Sequence, residues 1–303
     1  MLCQLSRAFL RFNMKKIFAL GFFDGVHLGH QALLTACRHL AQRTACTCSA
    51  VTFTSHPDAL VAIKTPPLIN TVLERQRLLI GYGVTDILAL PFDEALRNMP
   101  WQAFLEFLLQ KGAAGFVCGD DFRFGHRGEG NAERLAEFCR ERELPYAIVP
   151  EQTLDGIRIS STHIRTLIEG GDMETAAKFL GHPHILSGVV IRGRQLGRTI
   201  GIPTANIALP DDVVVPKFGV YACKAVAEGR EYLAVTNIGT RPTVEGHHVT
   251  VEPWLLDFDG NLYGKTVTLQ FYKFLRPEQK FDSLEALREQ IQRDAAVVRE
   301  LLP

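Results

Sequence analysis

Two histidines, His27 and His30, lie on either side of Gly29, a few residues after a short apolar segment. The segment Ile17–Leu20 is bounded by a glycine and predicts a buried strand, and apolar residues at helical spacing predict a helix over Gln31–Leu40. A helix start offers unpaired N–H groups and the positive end of the helix dipole, so it favours an anion. Glycines let a phosphate approach the backbone, and two imidazoles can face it. The spacing therefore predicts charge stabilisation during attack on a nucleotide phosphate.

Two histidines three residues apart are, taken alone, more often surface residues than a site. The longer pattern Gly21–His30 resembles the His-x-Gly-His signature of the nucleotidylyltransferase superfamily, and most of all the adenylyltransferase module of bacterial FAD synthetases. The resemblance implies that both histidines steady the phosphates of ATP. Phe22 departs from that family, which more often has a small polar residue there. The resemblance also implies nucleotide-binding positions at Gly21, Phe23, Asp24 and Gly29.

The composition excludes several classes of protein. The 303 residues suffice for two domains, and the 33 basic and 33 acidic residues give no net charge, which argues against a nucleic-acid or membrane-surface binder. No apolar run reaches the roughly 18 residues of a membrane span. Seven cysteines without a C-x-x-C pair indicate free thiols in a reducing cytoplasm, and residues 1–13 are too interrupted for a secretory signal. No obligate protein partner is indicated.

The first half of the chain alternates strand-like and helix-like segments. After the first helix, we predict strands over 48–54, 84–90, a segment from 115, and 146–149, with helices over 71–82, 101–111 and 131–143. This alternation predicts an α/β fold with a doubly wound parallel sheet. His56, beside a proline at a strand end, lies where such sheets bind ligands, although a lone histidine there is more often structural.

Glycines and two arginines follow the strand from Gly115, which predicts a flexible loop that closes over phosphate or a base. The pattern Gly-x-Asp-Phe-x-Phe-Gly in this loop resembles the second signature of the FAD synthetase module. That resemblance implies that Asp121 helps to hold the nucleotide.

The hydroxyl run Ser160, Ser161 and Thr162 opens a helix predicted over Ile164–Glu169, and Arg165 follows one turn in. Hydroxyls at a helix start cap N–H groups, and capping alone would explain a bare Ser-Ser-Thr. The segment also resembles the third signature of the adenylyltransferase module. The resemblance implies that the hydroxyls bind the triphosphate and that Arg165 takes part in catalysis.

The pattern changes near Pro183, where short β-branched strands replace long helices. We predict two domains, residues 1–183 and 184–303. Strands over 185–191, 219–226, 231–236, 248–252 and 265–272 predict a small antiparallel β-barrel. An amphipathic helix over 283–302 closes the chain, with an apolar stripe that packs on the barrel: Leu284, Leu287, Ile291, Val298 and Leu301.

One segment of the second domain, Gly197–Asn206, combines glycines with polar side chains but lacks the Walker A spacing. Side-chain oxygens of Thr204 and Asn206 could hold Mg²⁺, and the backbone could wrap ATP phosphates. The run Gly-Arg-x-x-Gly-x-Pro-Thr-Ala-Asn resembles the hallmark of riboflavin kinases. The resemblance implies ATP-binding positions at Gly197, Arg198, Gly201 and Pro203.

Glu252 ends the alternating segment 248–252 and matches the catalytic base of that kinase family. A solvated glutamate at a strand end is at least as common on spacing alone. The family usually follows this glutamate with a small polar residue and a histidine, whereas Pro253 and Trp254 follow here.

The resemblance covers nearly all of residues 15–302, so the chain is similar to bifunctional riboflavin kinase/FAD synthetases. It implies that ATP and riboflavin give FMN in the C-terminal barrel, and that FMN and ATP give FAD and pyrophosphate in the N-terminal domain, both with Mg²⁺. Two alternatives stay open: transfer of the nucleotide to another acceptor, such as a phosphopantetheine or glycerol phosphate, and a flavin-binding regulator without catalysis. The kinase signatures argue against the first alternative, and the intact candidate catalytic residues argue against the second.

Overall fold

The computed structural model describes residues 15–56, 65–193, 197, 201–243 and 246–302, so residues 1–13, Pro57 and Arg198 lie outside it. These residues form two compact units. The first contains the described residues up to Pro66 together with Arg75–Ser160, and the second contains Pro67–Glu74 together with the described residues from Ser161 onwards. The boundary at 183/184 stays a prediction.

Five parallel strands form the sheet of the first unit, in the spatial order β3-β2-β1-β4-β5. They are β1 (Lys16–Leu20), β2 (Thr47–Phe53), β3 (Asp86–Leu90), β4 (Ala113–Gly119) and β5 (Tyr146–Val149). The helices along this part of the chain are α1 (Leu28–Arg43), α2 (Val72–Gly81), α3 (Glu94–Arg97), α4 (Trp101–Gln110) and α5 (Ala132–Glu141). A hairpin of β6 (Thr153–Leu154) and β7 (Ile157–Arg158) follows β5.

The strand order explains why function concentrates at one edge of this sheet. From β1 the chain runs outward through β2 and β3, and it then returns to place β4 on the other side of β1. The order therefore reverses between β1 and β4, and ligands of such sheets bind where the order reverses, beyond the carboxyl ends of the strands. The prediction of a doubly wound parallel sheet is confirmed.

Two apolar clusters cover the faces of the sheet. On one face α4 and α5 pack their buried residues against β1 and β4, with Leu105 and Leu135 fully buried. On the other face α1 packs Leu34 and Cys37 against β1 and β2. Because both faces are covered, β1 is apolar nearly throughout.

The second unit contains α6 (Ser161–Gly170), α7 (Met173–Leu180) and a closed barrel, which confirms the predicted barrel. The barrel order is β10-β11-β12-β9-β8-β13. Its strands are β8 (His184–Ile191), β9 (Asn206–Ala208), β10 (Gly219–Ala227), β11 (Arg230–Thr243), β12 (Gly246–Leu255) and β13 (Thr266–Arg276). The closing helix is α8 (Leu284–Leu301), capped at Ser283, whose Oγ accepts from Ala286 N at 3.1 Å.

Three features of the barrel differ from the sequence prediction. Strands β11 and β12 are longer than predicted, because residues 237–243 of β11 pair with residues 246–252 of β12. Strand β12 also continues through Pro253, whose carbonyl accepts from Ala205 N at 2.9 Å. Strand β9 was not predicted, because its 3 residues are too few to show an alternating pattern. The apolar stripe of α8 packs on the barrel only in its C-terminal half, around Val298, while Leu284 and Leu301 are exposed.

None of the helices in the described segments combines the length and the apolar content that a membrane crossing requires.

Candidate active sites

The turn between β1 and α1 is tightly wound and almost wholly buried. Phe23 and Val26 have positive φ angles of 61° and 41°, and Gly25 between them has a φ of 82°. Left-handed backbone is costly for a β-branched residue such as Val26, and such strain is typical of functional turns. The side chain of Asp24 is only 1% exposed. The sequence therefore forms a rigid, strained turn at the predicted phosphate site.

Two glycines of this turn make room for aromatic side chains. A Cβ at Gly21 would lie 3.1 Å from the ring of Phe23, and a Cβ at Gly29 would lie 3.2 Å from the imidazole of His27. Because these glycines have no side chains, the rings of Phe23 and His27 can lie close to the backbone there.

His27 and His30 lie together at the start of α1. His27 is the N-cap, and its Nδ1 accepts from His30 N at 3.3 Å. Burial, His27 and the nearby Arg75 all lower the pKa of His30 well below its usual value, so His30 is neutral at pH 7. A negatively charged ligand would favour the protonated ring, and the pair can therefore respond to an incoming phosphate.

Asp121 follows β4 at the same edge of the sheet, where it pairs with another residue. Its Oδ2 accepts from Arg158 Nη2 at 2.6 Å, and Arg158 also contacts Glu151 at 2.7 Å. Arg158 belongs to the β6–β7 hairpin. Asp121 thus helps to tie this hairpin to the exit of β4.

The hydroxyl run spans the point in the chain where the first unit ends and the second begins. Ser160 ends the first unit, Ser161 and Thr162 form the first turn of α6, and Arg165 is buried one turn later. Ser161 and Arg165 lie four residues apart and so share a face of the helix.

A cavity of about 600 Å³ lies in the first unit, beyond the ends of β2, β3 and β4. Four phenylalanines, Phe53, Phe92, Phe104 and Phe124, line it together with three arginines, Arg97, Arg123 and Arg127, and with His126. No carboxylate is among the described lining residues. The cavity suits a flat aromatic ligand that carries negative charge. No local sequence pattern predicts this cavity, because its walls come from four separate segments.

The glycine-rich loop after β4 forms part of this cavity and is held at both ends. Phe124 and Gly130 exchange two backbone hydrogen bonds of 3.1 and 2.8 Å, and His126 N donates to Met99 O at 2.7 Å. These hydrogen bonds fix both ends of the loop, and its predicted closure over a phosphate or a base stays a prediction.

Two cavities of the second unit share one residue, Thr204. The smaller, of about 370 Å³, has a largely apolar lining that includes Ile202, Val235, Trp254, Leu287 and Ile291. The larger, of about 760 Å³, is more polar and is lined by Gly201, Pro203, Asp259, Asn261 and Tyr263, among others. Of the predicted kinase residues, Gly197 and Glu252 line the smaller cavity, and Gly201 and Pro203 line the larger one.

Glu252 lies inside β12, whereas the sequence predicted it at a strand end. It pairs in register with Asn237 of β11, so both side chains face the smaller cavity. Asn237 Nδ2 donates to Glu278 Oε1 at 3.1 Å. Neither Asn237, whose segment 237–243 also resembles riboflavin kinases, nor Glu278 was predicted from the sequence as a site residue.

A buried ion pair fixes α8 beside the smaller cavity. Arg276 Nη2 lies 2.8 Å from Asp294 Oδ2, and Gln290 Nε2 donates to the same carboxylate at 3.0 Å. Asp294 is only 4% exposed. The pair holds the N-terminal half of α8 where Leu287 and Ile291 form a cavity wall.

Thr204 and Asn206, the residues predicted to hold a metal, are close in sequence but lie at different places in the second unit. Thr204 borders both cavities, and Asn206 begins β9 with its side chain against Gly193. Across the described residues, no cluster of three or more His, Cys, Asp or Glu side chains suits a metal. Thr204 and Asn206 offer neutral oxygens, which fit a cation that arrives with ATP phosphates.

Comparison with known proteins identifies both halves of the chain. A family model described as FAD synthetase matches residues 10–163, and one described as riboflavin kinase matches residues 180–302. Bifunctional riboflavin kinase/FMN adenylyltransferases from Listeria monocytogenes and Escherichia coli (strain K12) are 35% and 38% identical to this chain, over 93% and 94% of it and 91% and 92% of their own lengths.

A crystal structure of a protein from Streptococcus pneumoniae, described as a macrolide-efflux protein, aligns with a TM-score of 0.86 and 31% identity, and the alignment covers 94% of each chain. Two family models in sequence order and relatives matched over almost their full lengths all lead to the same assignment. The chain belongs to the family of bifunctional riboflavin kinase/FMN adenylyltransferases.

Proposed function

We propose that the turn carrying His27 and His30 performs adenylyl transfer and that Glu252 performs riboflavin phosphorylation. The chain is a bifunctional flavin-forming enzyme: it phosphorylates riboflavin to FMN and adenylylates FMN to FAD. The observation that supports the assignment of roles is the separation of two unlike sites. One is a helix N-terminus with paired imidazoles, and the other is an apolar cavity with a carboxylate.

In the proposed adenylyl transfer, a phosphate oxygen of FMN attacks the α-phosphorus of ATP. The bond to the β-phosphate breaks, and pyrophosphate leaves. His27 and His30 stabilise the negative charge that develops on the phosphates, together with the N–H groups at the start of α1. Ser160, Ser161, Thr162 and Arg165 bind the triphosphate in this proposal, and Asp121 helps to hold the nucleotide.

We propose that the 600 Å³ cavity of the first unit takes the flavin ring of FMN. Its phenylalanines suit stacking on a flat tricyclic ring, and its arginines suit the anionic substrate. Residues of this cavity lie at the same sheet edge as the His27 turn, which supports the assignment.

In the proposed kinase step, riboflavin occupies the smaller cavity of the second unit and ATP the larger one. Glu252 accepts the proton of the terminal ribityl hydroxyl of riboflavin. At the same time the oxygen of that hydroxyl bonds to the γ-phosphorus of ATP, and ADP leaves. Thr204 borders both cavities, which is the position that a residue between the two substrates requires.

The reaction class implies a divalent cation, and we propose Mg²⁺ held by Thr204 and Asn206 together with ATP. The cation would neutralise phosphate charge. We also propose a cytoplasmic location. The free thiols among the described cysteines (Cys37, Cys46, Cys48, Cys118, Cys139 and Cys223) support this location.

Product analysis tests the proposal. The purified chain with riboflavin, ATP and Mg²⁺ should form FMN and then FAD with release of ADP and pyrophosphate. Supplied FMN should be converted to FAD without riboflavin. Formation of neither product would contradict the proposal and favour a flavin-binding regulator. Adenylylation of phosphopantetheine or glycerol phosphate in place of FMN would favour the other alternative.

A further inference from the structure

Arg75 of α2 is a charged residue that is completely buried. Its Nη1 donates to Phe22 O at 3.1 Å, and its Nη2 donates to Phe53 O at 2.6 Å. A buried guanidinium is costly unless its hydrogen bonds are satisfied, and an apolar residue would fill the same space at a lower cost. The position of this arginine therefore needs an explanation beyond packing.

The two carbonyls that Arg75 contacts lie where two neighbouring strands end. Phe22 follows β1 and begins the strained turn, and Phe53 is the last residue of β2. Thr52 Oγ1 also donates to Phe22 O, at 2.8 Å. One guanidinium thus joins the exits of β1 and β2 immediately before the turn that carries His27.

Phe22 covers the guanidinium. The Arg75 Cζ lies 4.4 Å from the centroid of the Phe22 ring, within the range of a cation–π interaction. In this chain the aromatic ring shields the buried charge from water and so strengthens its interactions.

The charge of Arg75 also acts on the turn itself. Burial lowers the pKa of Arg75, and nearby Asp24 opposes that effect. Asp24 is buried within the turn, and His30 follows at the start of α1. Arg75 therefore offers a fixed positive charge beneath the residues that would contact nucleotide phosphates.

We propose that Arg75 is a positioning residue for adenylyl transfer. It joins the ends of β1 and β2 and thereby keeps the strained Phe23–Val26 turn in the conformation that presents His27 and His30. This inference rests on the proposed role of the two histidines. Arg75 acts through the turn and needs no contact with the substrate.

The test replaces Arg75 and measures both reactions in the full chain. Arg75→Gln should lower kcat for conversion of FMN to FAD by about 10- to 100-fold, because small displacements of reacting groups cost up to that much. Riboflavin phosphorylation should stay within about two-fold of wild type. The KM for ATP in FAD formation should change less than kcat, since the substrate-contacting side chains remain.

A conservative variant separates positioning from stability. Arg75→Lys keeps the charge but cannot donate to two carbonyls in fork geometry, so its adenylyl-transfer rate should lie between wild type and Arg75→Gln. The pKa of His30, followed by NMR, should rise in Arg75→Gln and stay unchanged in Arg75→Lys, because only the first removes the positive neighbour. Leu108→Ala, a fully buried change in α4 on the other face of the sheet, should lower Tm and leave kcat for FAD formation unchanged.

The rate of FAD formation by the folded Arg75 variants decides whether Arg75 is a positioning residue. A folded Arg75→Gln protein with wild-type FAD formation would overturn the proposal. If Arg75→Gln does not fold, folded Arg75→Lys decides, and wild-type FAD formation by that variant would overturn the proposal. A wild-type chain that makes no FAD would instead contradict the proposed function itself.

Discussion

The imidazole rings of His27 and His30 stack nearly parallel, with their centroids 3.6 Å apart. Two rings at this distance cannot both be positively charged without strong repulsion. Nδ1 of His30 is buried and has no hydrogen-bond partner among the described residues. The free enzyme thus holds a closely packed pair whose charge state depends on pH and on bound anions.

Protonation of His30 should make the fold less stable in acid. The pKa of His30 is lowered in the folded state, so below about pH 6.5 the unfolded chain binds a proton that the folded chain does not. Stability is therefore full above that pH and falls as the pH is lowered towards the folded pKa. Urea unfolding between pH 7.5 and 5.5 should show a smaller loss for His30→Gln than for wild type. His39→Gln, an exposed change on the same helix, is the control, and equal slopes for all three proteins would contradict the prediction.

Removal of either histidine should separate the two activities. His27→Ala or His30→Ala should abolish or greatly slow FAD formation, by about 10²–10³, because a preorganised charge stabiliser is lost. FMN should still accumulate from riboflavin and ATP. Chromatography of the flavin products measures both rates. His39→Ala is the matched control, and FAD formation at the wild-type rate by either site variant would remove the assignment.

Replacement of Glu252 should have the opposite effect. Glu252→Gln keeps the shape and removes the base, so FMN formation should fall by about 10²–10⁴ while supplied FMN is still converted to FAD. The exposed Glu231, which pairs with Lys224 at 3.1 Å on the barrel surface, provides the control Glu231→Gln. Riboflavin phosphorylation by Glu252→Gln within a few-fold of wild type would mean that the base is another residue, such as Glu278.

The length of a kinase fragment should determine its stability. Met173, Phe179 and Leu180 of α7 are buried, and α7 packs on β8 and β13 within the second unit. A fragment of residues 161–303 retains this packing, whereas one of residues 185–303 exposes the surface beneath it. We expect both fragments to phosphorylate riboflavin. The longer one should be more stable in urea by roughly 2 kcal/mol for each large apolar side chain that it keeps buried. Equal stability would mean that α7 is not part of this folding unit.

The fold was largely predictable from local patterns. The central strands β1, β2 and β4 are largely buried and therefore have apolar sequences. Ser283 marks the start of α8 through its capping hydroxyl. Strand lengths in the barrel were harder to predict. Pro253 interrupts the alternating strand pattern in the sequence, but strand β12 continues through this residue.

The candidate sites were predictable only where one segment supplies them. The His27 turn and the segment Gly197–Asn206 are contiguous, so their spacing shows them. Arg75 lies in the segment Glu74–Arg77, whose charges suggest a solvated helix face, and only the packing of α2 beneath the turn buries it. The Phe53–Phe124 cavity and the Asn237–Glu278 contact join residues far apart in sequence, and no local spacing could indicate them.

The ring of barrel strands is closed by its shortest member. Strand β9 has 3 residues, and a single pair, Ile207 with Val251, joins it to β12 in the described chain, against ten pairs between β11 and β12. Transient openings of the barrel should therefore begin at β9, and amide hydrogen exchange should be fastest there. Because β9 begins at Asn206, a nucleotide–metal complex bound at that residue would also hold the ring closed, and substrate supply would protect the enzyme against local unfolding and proteolysis.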